Sequence, residues 1–444
     1  MSLAGTPELI NPSDYILQKV ELVADRFETS VDLTSSTIEV NVFESIDKLF
    51  LTGSLVFLDD NGIAQYINFS GTEKITIEVK LPAQDSVTFS KTFIVTSVDS
   101  QVKSNDSATV IALSLIEESG FLSQIKKFSK TYNGTAEQIL AKICKDQLGK
   151  ELIVVGKSIQ ENFRVIVPYM TVEQSLQWVL NKASTTNGSP FFLFSTFQSD
   201  DYYLVNLDSI LKDEPANKGL PFIYSSAYVN KPELSIANKS RNIQSLRMPY
   251  QDDTLNFAKM GYFGSDYSIT KLDANKSENY HHSIVDVYNK LGSEDILDTT
   301  QTKAIVDDNF NLNDRRLQSY NSKFFHQLSF STFEDKKNYY EEQDFSVTKN
   351  RLFSKTLLNL MHKSSIEINV PGLLFLLEKV LGVGVNIDVS ILSNDVNKEN
   401  GSPLEDKKYS GTYMIFNKRH LFSFRGGVPL HTVALKLCRL TMRQ

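Results

Sequence analysis

The end of this chain reads as a loose second copy of its beginning. Gly71 to Pro82 is GTEKITIEVKLP, and Lys91 to Glu117 follows as KTFIVTSVDSQVKSNDSATVIALSLIE. Gly382 to Leu392 is GVGVNIDVSIL, and Ser410 to Leu440 follows as SGTYMIFNKRHLFSFRGGVPLHTVALKLCRL. Each block runs as an alternating strand, a polar loop, a second strand, a polar hairpin tip and a last alternating strand. The letters differ while the architecture repeats. A polypeptide that folds one small β-unit twice presents six similar faces when three copies associate, which suits a partner of sixfold symmetry.

Residues up to about Ser119 read as strands. Thr37 to Phe43 (TIEVNVF) alternates strictly between polar and apolar side chains. Leu49 to Leu58 (LFLTGSLVFL) is a strand with a glycine interruption, and Asp59 to Gly62 (DDNG) is a turn signal. Ile75, Ile77 and Val79 share one face, and Thr76, Glu78 and Lys80 share the other. Such alternation gives an antiparallel sheet with one wet face. Closing that sheet into a barrel removes its exposed edges.

After Gly120 the pattern changes. Thr135 to Gln138 (TAEQ) is a capping box, with the Thr hydroxyl on the backbone N–H three residues on and Gln reaching back. Ile139, Leu140, Ile143 and Leu148 then share a helical face, and Gly149 supplies the C-cap. The device repeats at Thr171 to Gln174 (TVEQ), with Val172, Leu176, Val179, Leu180 and Ala183 as the buried stripe. Between the helices lies a strand, Phe163 to Val167, ending at Pro168. Phe191 to Phe194 and Tyr202 to Leu207 are apolar runs joined by Gln198 to Asp201, so residues 121–220 read as a small α+β domain.

From Pro221 strands return. Asp266 to Phe345, rich in Asn, Asp, Ser, Lys and Tyr, reads as an insertion with a helix expected over Asp314 to Gln327. Its many aromatics argue against complete disorder. The second β-unit begins at Ile366, and Asn394 to Lys408 (NDVNKENGSPLEDKK) is expected to be a long mobile loop between its strands.

A length of 444 residues suggests two to four domains. With 41% hydrophobic and 22% charged residues, neither disorder nor a membrane protein is indicated. The net charge of −7 is spread along the chain and argues against a nucleic-acid grip, which needs clustered Lys and Arg. No run approaches the ~18 apolar residues of a membrane span. Pro371 to Val385 comes nearest and is interrupted by Glu378 and Lys379. The N-terminus, MSLAGTPELINPSDY, shows no basic region and no apolar core, so folding in a reducing cytosol is expected. Cys144 and Cys438, the only two cysteines, fall on a helix and a strand pattern and read as buried small apolar residues.

No catalytic constellation emerges. His281 and His282 are adjacent on a strand, point to opposite faces, chelate poorly and read as surface histidines. His326, His362, His420 and His431 are scattered; the last two flank a hairpin tip and read as a surface cross-strand pair. Gly382-Val-Gly384 lacks a third glycine and a following helix, so a tight chain approach at a barrel corner fits better than a dinucleotide loop. Glu117–Glu118 and Glu341–Glu342 are adjacent carboxylates and read as solvated charge. Trp178, the sole tryptophan, reads as a core anchor. Phe191 to Phe197 (FFLFSTF) reads as a buried strand or, more sharply, as part of a subunit interface. No catalytic, cofactor-binding or metal-ligating residue is assigned.

In order and spacing, several segments are similar to the baseplate hub protein of contractile-tailed, T-even-type phages. They are Leu51 to Asp59 (LTGSLVFLD), Gly71 to Val79 (GTEKITIEV), Ile125 to Ile139 around KTYNGTAEQI, and Arg164 to Leu180 (RVIVPYMTVEQSLQWVL). Phe191 to Phe194, Arg241 to Gly261, Gly372 to Val389 and Ser410 to His420 (SGTYMIFNKRH) complete the set. The resemblance implies an α+β, mainly β fold with two similar antiparallel tube-type β-barrels in one chain. The first spans 1–120, a small α+β domain with two capped helices spans 121–220, and the second barrel is split over 221–262 and 350–444. A polar, aromatic insertion at 263–349 departs most from the pattern.

The implied function is structural and not enzymatic. A homotrimer forms a pseudo-sixfold ring that joins the hexameric tail tube, or a tube-initiator protein, to the trimeric central spike. Baseplate wedge proteins lie alongside, and DNA passes through without specific binding or membrane insertion. The expected location is the virion tail baseplate, assembled in the host cytoplasm, with no cofactor. The excess negative charge is expected to line the bore and repel DNA phosphates. Alternatives are the hub of a type VI secretion or related injection device, a cell-wall hydrolase, and a glycan-binding module built on the insertion.

Overall fold

The alternating stretches become strands whose apolar side chains fill two adjoining cores. The computed structural model describes residues 11–443 apart from 25–29, 68, 81–87, 105–107, 157–162, 182, 184, 186–187, 225–238, 249–253, 262, 272–275, 294–301, 305–310, 317–318, 321–322, 330–352, 362–363, 373–381, 397–402 and 426–427.

The first β-unit comprises β1 (Ile16–Val23), β2 (Val31–Asp32), β3 (Thr37–Ser45), β4 (Thr52–Asp59), β5 (Lys74–Lys80), β6 (Thr88–Lys103) and β7 (Thr109–Glu117). Its strands are ordered β3-β4-β7-β6-β5-β1-β2, antiparallel throughout. The link 33–36 carries the chain from β2 back to β3, with the Leu33 N–H donating to Val20 O at 2.7 Å and Ser36 O accepting from the Leu58 N–H at 2.8 Å. Ile75, Ile77 and Val79 point into its core with Val40, Val42, Leu55 and Phe57.

The α+β domain holds β8 (Lys127–Gly134), β9 (Leu152–Val155), β10 (Phe163–Thr171), β11 (Phe191–Thr196) and β12 (Ser199–Asn206), with helices Ala136–Ile143 and Val172–Leu180 packed together. Both capping boxes close. The Thr135 hydroxyl accepts from the Gln138 backbone N–H at 3.3 Å and the Gln138 side-chain Oε1 accepts from the Thr135 N–H at 3.2 Å. Thr171 and Gln174 repeat this at 3.2 Å each way. Gly149 takes the left-handed conformation, φ +67°, behind a π-turn at Cys144–Leu148.

Two differences from the sequence reading have local causes. β10 runs past Pro168 to Thr171, because the ladder breaks between Val167 and Met170 and the missing Pro N–H loses nothing there. β12 stops at Asn206, whose side chain accepts from the Ser209 N–H at 2.8 Å and caps a short helix, Leu207–Lys212.

After β13 (Phe222–Tyr224) and β14 (Ser245–Arg247), the segment expected to be an insertion forms β15 (Gly264–Lys271), β16 (Lys276–Ser283), β17 (Thr302–Ala304), β18 (Asn311–Leu312), β19 (Arg315–Arg316) and β20 (Phe324–Ser329). β15 is central, antiparallel to β16 and parallel to β20. Among the described residues the helix expected over Asp314 to Gln327 does not form. Asn313 and Asp314 sit at φ +52° and +61° in the turn between β18 and β19, a conformation Asn and Asp tolerate, and β20 follows. A helix lies at Ile284–Ser293 instead, burying Ile284, Val287 and Leu291 on one face.

The second β-unit adds β21 (Ser365–Pro371), β22 (Asn386–Val396), β23 (Pro403–Glu405), β24 (Gly411–Arg425), β25 (Val428–Cys438) and β26 (Thr441–Arg443). The expected loop Asn394–Lys408 is shorter than read. β22 extends to Val396, β23 pairs back onto it, and the Asp406 carboxylate accepts from the Lys408 and Tyr409 N–H groups. β13 lies parallel to β22 and bridges Asn242 just ahead of β14, which closes this unit.

The two units are the same topology twice. β3-β4-β7-β6-β5 in the first corresponds to β14-β21-β25-β24-β22 in the second. The register agrees at the first slip of each long ladder, while β6 has a second slip, between Val98 and Ser100, that β24 lacks. The β6–β7 ladder slips between Val95 and Ser97, and the β24–β25 ladder slips between Ile415 and Asn417. The Val95 N–H donates to Glu73 O at 2.9 Å, and the Ile415 N–H donates to Val385 O at 2.9 Å. The repeated sequence blocks are therefore structural equivalents, and repetition extends beyond them to β3, β4, β14 and β21.

Candidate assembly site at the junction of the two units

β24 serves both units. Its first part, Gly411 to Met414, pairs with β22. Its second part, Asn417 to Ser423, pairs with β3 of the first unit, so one sheet runs through both.

Pairing puts Glu44 directly opposite Lys418, and their side chains meet at 3.1 Å with 0% exposure on each. His420 lies diagonally across, its Nε2 3.2 Å from Glu44 Oε1 and its Nδ1 3.0 Å from His431 Nε2 on β25. The tautomers follow from the chain of partners. A carboxylate only accepts, so His420 Nε2 carries a proton and its neutral Nδ1 accepts from His431 Nε2–H. A proton added to His420 Nδ1 would confront that N–H.

Electrostatics agree with this reading. Burial, reinforced by Lys418, pushes the His420 pKa down, while burial with His420 and Lys418 pushes His431 well below the ordinary histidine value. Burial alone would raise the Glu44 pKa. Lys418 and His420 together outweigh that influence and hold it below the usual carboxylate value. The cluster is thus a buried ion pair with two neutral imidazoles.

Around it the units exchange core residues. Phe422 of β24 joins the first unit's core, its ring 5.1 Å from Tyr15 and 4.3 Å from His431. Ile46, just past β3, joins the second unit's core and donates its N–H to Phe416 O at 3.1 Å. On the sheet's other face Arg419 Nε donates to Asn41 Oδ1 at 2.9 Å, and its guanidinium lies 5.5 Å from the Phe43 ring centre. An open groove of about 550 Å³ crosses that face.

The surface reading of His420 and His431 is overturned. Tyr413 and Ile415 face inward, and strict alternation would continue through Asn417 and Arg419. The slip at Phe416 turns Lys418, His420 and Phe422 inward instead. His431 had a legible signal, since His431, Val433, Leu435 and Leu437 alternate on one buried face of β25.

Other candidates divide. His281 is exposed and sits 2.9 Å from Asp266, whereas His282 faces the opposite way and is buried against Thr356 at 2.9 Å, not on the surface. Glu117 is not solvated. It is buried and accepts from the Leu51 N–H at 3.3 Å and the Ser195 hydroxyl at 2.9 Å, tying the first unit to β11. Glu118 is part-exposed and pairs with Lys74 at 2.6 Å. His326 is exposed, 3.2 Å from Thr270. His362 and Glu341–Glu342 lie outside the described residues.

Cys144 and Cys438 are buried, and burial pushes each thiol up to about 12. Phe191 to Phe197 is buried by this chain itself, so it is core and offers no free surface for a subunit interface. Trp178 packs half-buried on the α+β core. Gly384, at φ +77°, sits where a Cβ would come 3.1 Å from Ile46 Cδ1, a close approach at the junction. Among the described residues no group of three His, Cys, Asp or Glu side chains is placed to hold a metal ion. No described helix is long and apolar enough to cross a membrane.

The sequence matches no protein-family profile and is not detectably similar to any curated protein. Solved structures are similar in shape. A prophage MuSo2 43 kDa tail protein from Shewanella oneidensis aligns at a TM-score of 0.51 with 12% identity, covering 95% of this chain and 98% of that one. A tail protein from Neisseria meningitidis aligns at 0.50 with 12% identity, covering 96% of each chain. The chain therefore has, over nearly its whole length, the mainly β fold of these phage tail proteins.

Proposed function

We propose that this chain is a structural hub of a contractile, tail-type injection machine. Three copies form a ring of six β-units around an open centre. One face receives the tail tube or a tube-initiator protein, and the other holds a trimeric central spike. Baseplate wedge proteins lie alongside, and DNA crosses the centre without specific binding. The protein works in the virion tail baseplate after assembly in the host cytoplasm, and it works by binding and not by catalysis. An acidic bore, drawn from the net charge of −7, would keep phosphates from sticking.

The observation that carries this reading is the edge-to-edge junction of two topologically equivalent units in one chain. A closed ring of odd chain number can then present an even number of similar faces, which is what stacking a hexameric tube on a trimeric spike requires. The fold shared with tail proteins supports it. Mass determination in solution, with and without a candidate spike protein, tests it. The expected species is three times the 50.1 kDa chain, at least with spike present. A monomer that ignores the spike and tube proteins would overturn the reading.

A further inference from the structure

Each unit has a donating strand and an accepting half-strand. Within the chain, β3 of the first unit docks on the second half of β24 in the second unit. By the same correspondence the first unit's accepting half-strand is the end of β6, and the second unit's donating strand is β14. Among the described residues both are unpaired on the relevant side. The end of β6, Ser97 to Lys103, pairs only with β7, and β14 pairs only with β21. The end of β6 is exposed, Val102 at 60%; in β14 Ser245 and Arg247 are exposed, Leu246 is half-buried against the second unit's core, and Met248 just beyond the strand is exposed.

We infer that β14 of one copy adds antiparallel to the end of β6 of a second copy, repeating between chains the junction that β3 and β24 make within one. Closure of the resulting ring rests on the hub reading above; the edge pairing does not.

The register can be derived. Ala112 of β7 matches Ala434 of β25; past Asp99, the extra residue of a second slip between Val98 and Ser100 that β24 lacks, Gln101, Val102 and Lys103 match His420, Leu421 and Phe422. Leu55 of β4 matches Ile368 of β21, so Val40 and Asn41 match Leu246 and Arg247, and Val42 matches Met248. In the chain's own junction Phe422 faces Val40, Leu421 faces Asn41 and His420 faces Val42. Between copies, Lys103 therefore faces Leu246, Val102 faces Arg247 and Gln101 faces Met248.

The chemistry differs from the internal junction in an informative way. Lys418, His420 and Phe422, all buried, are replaced by Val98, Gln101 and Lys103, half-buried or exposed. The internal joint is buried, while the joint between copies is polar, as an edge must be that stays soluble until it is paired.

Disulfide trapping of the full-length chain tests this. Val102→Cys in one preparation is mixed with Arg247→Cys in another, and Lys103→Cys with Leu246→Cys, under mild oxidation. The native thiols are buried and silent. Opposed positions in an antiparallel pair lie close enough for a disulfide. Both in-register pairs should cross-link between chains. The slipped pair Val102→Cys with Leu246→Cys should do so about tenfold less, because a one-residue slip turns the thiol to the opposite face.

A trimer in solution with no cross-link at either in-register pair would reject this joint and leave the hub reading standing. Cross-links in an assembly that is not trimeric would keep the joint and reject the ring count. Cross-linking that appears only with another tail component bound across the β6 end, and not between copies, would assign that edge elsewhere and overturn the inference. A chain that stays monomeric under all these conditions rejects both.

Discussion

Four side chains, Glu44, Lys418, His420 and His431, decide how the two halves of the molecule hold together. A buried ion pair contributes little net stability against an apolar pair of the same shape, but removing one partner strands the other, at about 3–5 kcal/mol. Lys418→Met should therefore lower the unfolding free energy by roughly that much, and adding Glu44→Leu should restore most of it. Denaturant titration of the single and double variants measures this. A single variant as stable as the parent would mean the pair does not hold the junction.

The pH dependence has a definite sign. Both histidines hold protons less readily in the fold than at their ordinary value of 6.5. Below that pH the unfolded chain binds more protons than the folded one, so stability is complete above pH 6.5 and falls as pH drops through the window beneath it. Glu44, also lowered, adds a second loss at more acid pH. Denaturation midpoints across a pH series should show the decline starting near 6.5, and His420→Gln with His431→Gln should flatten that first part.

At the scale of elements, what could be read from the sequence was whatever local periodicity writes. The alternation of β5, the two Thr/Gln capping boxes and the strand-loop-strand-hairpin-strand blocks appear in the fold because each depends on residues within a few positions. What could not be read depends on interruptions of period. The slip at Phe416 reverses which face of β24 is inside, and with it the fate of Lys418 and His420. Asn313 and Asp314 turn a helical-looking stretch into a hairpin. Glu117 looked solvated because its partners, the Leu51 N–H and the Ser195 hydroxyl, are 66 and 78 residues away. The junction itself was invisible for the same reason, since Glu44 and His420 lie 376 residues apart.

For the whole molecule, duplication is the central claim. The correspondence of five strands and one ladder slip makes the chain two copies of one part, joined head to tail, with one donating and one accepting edge left unpaired among the described residues. Head-to-tail joints either close into rings or run on as filaments. The internal joint already fixes how one unit follows the next, through the pairing of β3 with β24. The most direct measurement is electron-microscopic averaging of the purified assembly, formed alone or on its spike partner. The account predicts an annulus of three chains showing six similar lobes around an open centre. Particles without a central opening, or lobes alternating between two unrelated shapes, would contradict it.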